Sequence, residues 1–297
     1  MARRGASNVG GMTSRPPLAD RPAEPALFAR LIDDAAVFPP GNAPLWEALT
    51  AHREHRQAWY AACVGPLLVP ASGVAELVHL TDDGAEPVQV SVVGRPEVGA
   101  EEVRGAEATL RETPGVIVVG MELGWFEGWR DLSWDSDPLS LEVPRGEAQV
   151  AAIADIAAEA NDTVAVQAKF RTGATPSWPW PDERELATFF RTSIDHDLGF
   201  KLTGGLHHAV RGSYDGEEQH GILNVLVAVR WALNGEDVDE LVPLLAERDP
   251  EVLVAHVTRM SAADASIVRA FFTAYGCCGV TDPINELAAL GLLEGPA

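Results

Sequence analysis

Two segments of the chain decide the interpretation of the fold: 163–170 (TVAVQAKF) and 199–206 (GFKLTGGL). Both are short and largely apolar, which is typical of a strand covered on both faces. Residues 182–197 between them have helical periodicity and begin at Asp182, a favourable N-cap residue. A strand, a helix and a second strand in this order form a right-handed unit, so we predict that the two strands are parallel neighbours.

The same alternation runs through the chain after residue 24. Other strands are predicted at 31–38, 62–69, 88–93, 116–123, 252–257 and 274–280, and helices at 44–58, 72–80, 97–112, 146–160, 220–246, 261–273 and 284–291. Eight strands alternating with eight helices favour the α/β class, as a single (β/α)₈ barrel of the TIM type, over an open sheet. The two quoted segments are strands five and six in this count. Residues 1–24, rich in Gly, Ser, Pro and Arg, predict a disordered leader before one barrel domain, 25–297.

Composition and charge exclude several classes of function. The formal net charge of −22 disfavours binding to nucleic acids and to acidic membrane surfaces. No run of about 18 apolar residues predicts a membrane span. Three cysteines, an odd number, fit a reducing compartment, so we expect a cytoplasmic protein. No Walker loop, Rossmann fingerprint, GxSxG motif or CxxC pair is present.

Lysine is unusually rare in this sequence. Of the 22 lysine and arginine residues only 2 are lysines, Lys169 and Lys201. Arginine cannot replace lysine where a neutral amine is needed, because its guanidinium stays protonated. The two lysines therefore indicate chemistry at an amine, with codon bias as the alternative explanation.

The lysines also share a local pattern. Lys169 begins Lys-Phe-Arg-Thr-Gly and Lys201 begins Lys-Leu-Thr-Gly-Gly, each near the end of a predicted strand. On neighbouring strands both side chains could enter one pocket. A nearby cation and desolvation lower the pKa of a lysine and produce the neutral nucleophile that imine (Schiff base) chemistry requires. The alternative is that each lysine only pairs with carboxylates in the barrel mouth.

This pair of motifs resembles the deoxyribose-phosphate aldolase family of class I aldolases over residues 165–210. The resemblance implies that Lys169 forms the imine, that Lys201 lowers the pKa of Lys169, and that the amides of Gly204 and Gly205 hold a phosphate. The family carries its lysines on strands six and seven, whereas our count gives five and six. With its segment 32–40 (IDDAAVFPP), the chain as a whole also resembles bacterial proteins of unknown function, and this resemblance implies no activity.

Carboxylates at predicted strand ends are candidate partners for the lysines. Glu122 ends the strand 116–123 and could shuttle protons, pair with Lys169 or ligate a metal. Asp33 and Asp34 lie in the first predicted strand, where one of them could reach the lysines across the barrel. Solvated loop carboxylates are the alternative for both.

A further group of residues near the lysine motifs is predicted to bind substrate. Arginines could clamp an anion, histidines could line the pocket or ligate a metal, and a helix N-terminus after His220 favours an anion. These residues are Arg171, Thr172, Thr203, Gly204, Gly205, His207, His208, Arg211, His220 and Asn224. Ordinary solvated or loop positions are the alternative.

Two further features receive less specific interpretations. Cys277 and Cys278 are interpreted as small buried residues, since the sequence shows no neighbouring base. The run Trp178-Pro179-Trp180-Pro181 could cover the pocket or pack against another subunit, which makes a homo-oligomer possible.

The sequence thus predicts a carbon–carbon lyase, similar to an aldolase, that acts on a small carbonyl or anionic substrate through a lysine imine. Lys169, Lys201 and Glu122 are the predicted catalytic residues, and we predict no cofactor and no metal. One alternative is a metal-dependent isomerase or hydrolase that uses Glu122 and the histidines. The other is a non-catalytic barrel that binds a small anion.

Overall fold

The computed structural model describes residues 24–81, 86–94, 98–132, 138–160 and 165–295. The predicted leader lies outside these ranges except for Glu24, at which the first helix begins.

Eight parallel strands close into a barrel, as predicted. Their order around the barrel is β1-β10-β7-β6-β5-β4-β3-β2, and a separate antiparallel hairpin is formed by β8 and β9. The strands are β1 Ile32–Asp34, β2 Val64–Pro70, β3 Val88–Val93, β4 Val116–Gly124, β5 Leu139–Glu142, β6 Val166–Arg171, β7 Phe200–Thr203, β8 Gly212–Tyr214, β9 Glu217–Gln219 and β10 Phe272–Cys277. The (β/α)₈ fold of the TIM type is therefore confirmed.

Helices surround the barrel and connect its strands. They are α1 Glu24–Phe28, α2 Leu45–His55, α3 Val74–Leu80, α4 Ala100–Arg111, α5 Ala148–Ala157, α6 Glu183–Asp195, α7 Ile222–Leu233, α8 Val238–Ala246, α9 Pro250–Thr258, α10 Ala262–Phe271 and α11 Thr281–Ala289. Four helices, α7 to α10, fill the connection between β7 and β10. None of the helices in the described ranges has the length and apolar character needed to cross a membrane.

Two strand assignments made from the sequence are wrong. The run 252–257, predicted as a strand, lies in α9, which Asp249 caps and Pro250 opens; both are helix-start signals. The barrel strand β5 was instead assigned to a loop. Its polar Ser140 and Glu142 alternate with Leu139 and Leu141, so it lacks a continuous apolar run. With β5 in place, Lys169 and Lys201 lie on the sixth and seventh barrel strands.

The apolar core lies mainly between the barrel and its helices. The rings of four phenylalanines contact one another in this layer, which joins β6, β7 and β10 to α6: Phe170, Phe189, Phe200 and Phe272. The barrel interior is different: branched apolar side chains usually fill it, but here charged side chains of β1, β4, β6 and β7 are buried.

Candidate active site

Lys169 and Lys201 are brought together in the barrel interior. The two residues are register partners on the adjacent strands β6 and β7. Residues paired in this way point to the same face of a sheet. Both are almost completely buried, with 3% and 4% of their surface exposed. The predicted meeting of the two lysines is thus found.

A single carboxylate on β4 connects the two ammonium groups. Glu122 Oε2 lies 2.9 Å from Lys169 Nζ, and Lys201 donates a hydrogen bond to Glu122 Oε1. Lys201 also donates to Asp33 on β1. The contacts join β1, β4, β6 and β7, which are not all neighbours around the barrel, so these side chains meet in its interior.

A second carboxylate contacts Lys169 from β5. Glu142 Oε2 lies 3.1 Å from Lys169 Nζ, and both Glu142 oxygens also accept from Arg171, at 2.9 Å from Nε and 3.3 Å from Nη2. The Arg171 side chain is 36% exposed, so this pair faces the barrel opening. Asp33, Glu122, Glu142, Lys169, Lys201 and Arg171 together form what we call the charge cluster, in which three cations balance three carboxylates.

Burial and ion pairing act in opposite directions on the charge cluster. Burial would raise the pKa of Glu122, but the two lysine ammonium groups outweigh it and lower the pKa to about 2. Burial would lower the pKa of Lys201, but Asp33 and Glu122 outweigh it and raise that pKa. At neutral pH Glu122 is therefore a carboxylate and Lys201 an ammonium ion.

These shifts predict a loss of stability in acid. A carboxyl group whose pKa is lowered by folding stabilises the protein above its unfolded pKa, and this contribution disappears as the pH falls through the folded value. For Glu122 this window runs from about pH 5 down to pH 2, with a contribution of about 3 kcal/mol. Burial raises the pKa of Asp33 despite Lys201, so Asp33 acts in the opposite direction. Urea unfolding across this pH range should show a steeper loss in the wild type than in Glu122→Gln, and parallel curves would contradict the assignment.

A cavity of 170 Å³ reaches Lys201 from the amino-terminal side of the strands. Gln167 donates to Ser140 Oγ at 2.8 Å and accepts from Thr273 Oγ1 at 2.6 Å in its wall. Sequence analysis did not select these residues. Ser140 and Gln167 could have been found from the sequence, because polar residues at alternate positions of β5 and β6 point into the barrel.

The threonine and glycine residues of the two motifs hold two loops together. Thr172 donates to the Thr203 carbonyl from its backbone N–H at 2.8 Å and from Oγ1 at 3.2 Å. A β-carbon added to Gly173 would lie 1.6 Å from the Gly204 carbonyl oxygen, and one added to Gly205 would lie 2.8 Å from Thr172 Oγ1. Gly204 itself has φ +71°. The loops after β6 and β7 pack closely, and this packing explains why both lysine motifs contain threonine and glycine.

Three of the predicted substrate-binding residues form a separate buried group. His220 Nε2 donates to the Pro181 carbonyl at 2.8 Å, and its Nδ1 accepts from Arg211 at 3.1 Å. Asn224 Oδ1 accepts from the Arg211 backbone N–H at 2.9 Å. Burial, with help from the Arg211 charge, lowers the pKa of His220 to about 4. Their observed partners lie outside the charge cluster.

The adjacent histidines also have partners away from the lysines. His208 Nδ1 lies 2.7 Å from Glu286 Oε1 and its ring stacks on Tyr214. His207 Nδ1 lies 3.5 Å from Asp282 Oδ2. Within the described ranges, no three His, Cys, Asp or Glu side chains are placed to hold a metal ion. The alternative in which Glu122 and the histidines hold a metal therefore has no three-ligand group in these ranges.

The two aspartates of the first strand have different partners. Asp33 points inward to Lys201, as one of the alternatives above allowed, while Asp34 pairs with His52 of α2, with 3.0 Å between Oδ2 and Nδ1. A β-carbon on Gly65 would lie 1.9 Å from Asp33 Oδ1, so this glycine makes room for the carboxylate. Glu142 was missed because β5 was assigned to a loop.

In comparisons with protein-family models, curated proteins and solved structures, nothing matches this chain.

Proposed function

We propose that this barrel is a carbon–carbon lyase, similar to an aldolase, that forms an imine between Lys169 and a small carbonyl substrate. The observation that carries this proposal is the register pairing of two buried lysines with Glu122 between their ammonium groups. Carboxylate and amine groups at this distance can exchange the protons that imine formation and C–C cleavage require.

Lys169 is better suited than Lys201 to act as the nucleophile. Lys201 is held by Asp33 and Glu122, which raise its pKa and keep it charged. Lys169 is followed two residues later by the half-exposed Arg171, at the end of the strand where barrel active sites lie. We assign Lys201 the role of a fixed cation and Glu122 that of the proton carrier.

Release of a neutral amine requires Lys169 to lose a proton, and the proposed acceptor is Glu142. Burial would raise the pKa of Glu142, but Lys169 and the Arg171 guanidinium together outweigh it and lower that pKa. An anionic group on the substrate would compete for Arg171 and weaken its contact with Glu142. Glu142 then becomes more basic and accepts the proton from Lys169 Nζ, 3.1 Å away.

The neutral amine can then react with the substrate. Nζ attacks the carbonyl carbon, and the resulting carbinolamine takes the proton back from Glu142 as it loses water and becomes the protonated imine. Glu122 then accepts the proton of a hydroxyl group on the β-carbon while the bond between the α- and β-carbons breaks, and the electron pair of this bond moves to the imine nitrogen, giving an enamine and an aldehyde. Glu122 returns the proton to the enamine, and water hydrolyses the imine to free Lys169. This sequence favours a small carbonyl compound that also carries a carboxylate or phosphate.

The resemblance to deoxyribose-phosphate aldolases gives further support. The lysines lie on the sixth and seventh strands, the positions used by that family, and the sequence count that placed them on strands five and six is corrected. The metal-dependent alternative has less support, since the described residues gather no metal-binding triad. The anion-binding alternative is decided by experiment.

Borohydride trapping tests the proposal. The folded protein is incubated with a panel of small aldehydes and keto acids, reduced, and analysed by intact mass and peptide mapping. We expect a stable adduct on Lys169 that is absent in Lys169→Arg, with stronger trapping for anionic members of the panel than for neutral ones. Arginine keeps the positive charge, and thermal melting of both proteins shows whether the fold is retained.

Two outcomes of the trapping experiment would contradict the proposal or the roles assigned to the lysines. An adduct on Lys201 alone would reverse the assigned roles. No adduct on either lysine, with the protein folded, would contradict imine chemistry, and stabilisation by anions in the same panel would then favour the binding alternative.

A further inference from the structure

Three loops meet at the carboxyl end of the barrel, beside the seam between β7, β10 and β1. His207 lies in the loop after β7, Cys278 directly follows β10, and Gly41 lies in the loop after β1. These strands are neighbours in the closed barrel. His207 contacts Cys277, Cys278 and Asp282 at this seam.

The thiol of Cys278, the imidazole of His207 and the carboxylate of Asp282 lie in a row at this point. Cys278 Sγ lies 3.6 Å from His207 Nε2. The other ring nitrogen of His207, Nδ1, lies 3.5 Å from Asp282 Oδ2 in the first turn of α11. A nucleophile within reach of a base, with the base oriented by a third group, is the arrangement that activates a nucleophilic side chain.

Cys278, and not its neighbour, has the access that a nucleophile needs. Cys277 is only 1% exposed and its thiol donates to the Gly279 carbonyl at 3.3 Å. Cys63 is also buried, whereas Cys278 is half-buried. Cys277 Sγ lies 3.6 Å from His207 Nδ1, on the side of the ring that faces Asp282.

We propose that Cys278, His207 and Asp282 form a second nucleophilic site, which accepts an acyl group from an ester or a thioester. His207 Nε2 takes the thiol proton as Sγ attacks the carbonyl carbon. A new C–S bond forms, the bond from that carbon to the alkoxide or thiolate leaving group breaks, and the leaving group receives the proton from His207. Water then cleaves the acyl-enzyme with His207 as base, which restores the thiol.

The surroundings of the sulfur support this mechanism. Burial raises the pKa of Cys278, and the backbone N–H groups of Gly41 and of Cys278 itself act in the opposite direction. The group is thus a thiol that requires a base. Close approach of the loops is possible because a β-carbon at Gly41 would lie 3.0 Å from Cys278 Cβ.

Acylation by p-nitrophenyl acetate tests the site in the full chain. We expect a burst of p-nitrophenolate equal to the protein concentration and one acetyl group on Cys278, released by neutral hydroxylamine as a thioester is. His207→Asn should slow the burst about 100-fold, and Asp282→Asn should slow it less. Cys63→Ser is the matched control for a buried thiol and should leave the burst unchanged.

The burst and the residue that carries the acetyl group also show which results would contradict the proposal. A burst that persists in Cys278→Ala, or a hydroxylamine-stable acetyl group on an amine, would overturn the proposal. Acetylation of Cys278 at the same rate in wild type and in folded His207→Asn would show an accessible thiol without a base and would also overturn it. The alanine variant decides the outcome if the His207 variants do not fold, because it removes only a half-buried side chain.

Discussion

Replacement of Glu122 by glutamine is expected to lower the free energy of unfolding by about 4 kcal/mol, with a fall of roughly 10 °C in melting temperature. The side chain keeps its shape but loses the charge that faces both lysines. The barrel interior then holds one uncompensated positive charge, and a buried charge without its partner is strongly destabilising. Urea unfolding and thermal melting measure the loss.

A double variant tests the charge balance itself. Glu122→Gln combined with Lys169→Met leaves Lys201 with Asp33 and Arg171 with Glu142, two balanced pairs. We therefore expect the double variant to be more stable than Glu122→Gln alone, although it carries more substitutions. Additive losses would contradict the neutral charge cluster.

A variant at the surface shows whether the effect of Glu122→Gln comes from the loss of a charge or from the buried position of that charge. Glu101 is 73% exposed in its side chain and pairs with Arg104 on α4. Glu101→Gln removes the same charge from water-exposed surroundings, where an ion pair adds little. It should change the stability only slightly compared with Glu122→Gln.

Gly173→Ala is the second substitution with a large expected effect, a loss of about 3 kcal/mol in the free energy of unfolding. The new methyl group would lie 1.6 Å from the Gly204 carbonyl oxygen, which is backbone and cannot rotate away. The loops after β6 and β7 would have to separate and break the hydrogen bonds between Thr172 and Thr203. Chemical denaturation provides the measurement.

Gly105→Ala is the matched control for this substitution. Gly105 lies within α4, and a β-carbon added there meets nothing within 4 Å. Alanine favours the helix over glycine by about 1 kcal/mol, so this variant should be more stable than the wild type. Equal behaviour of the two alanine variants would show that the loops after β6 and β7 separate without cost.

The barrel could be predicted from sequence because most of its strands are apolar runs between helical segments. The exceptions have a physical cause. β5 alternates because Ser140 and Glu142 face a polar interior, and this pattern lacks the run expected for a buried parallel strand. α9 was mistaken for a strand because its apolar residues are nearly continuous over 252–257.

The candidate site could be predicted only in part. The rarity of lysine and the two motifs identified Lys169 and Lys201, and the position of Glu122 at a strand end identified it as a partner. Glu142 could not be found once β5 had been assigned to a loop. The network of contacts depends on residues far apart in sequence, such as Asp33 and Lys201, and local patterns do not specify which of two adjacent aspartates turns inward.

The burial of both lysines has a consequence for how this protein can be handled and marked. The chain has only these two lysine side chains, and each is almost entirely enclosed. The folded barrel therefore presents no lysine to a surface-coupling resin or a ubiquitin ligase, which are far larger than the small carbonyl compounds proposed as substrates. Attachment of such a large group at either lysine would report that the barrel has opened, so the rate of such coupling would measure how often the protein unfolds around its own centre.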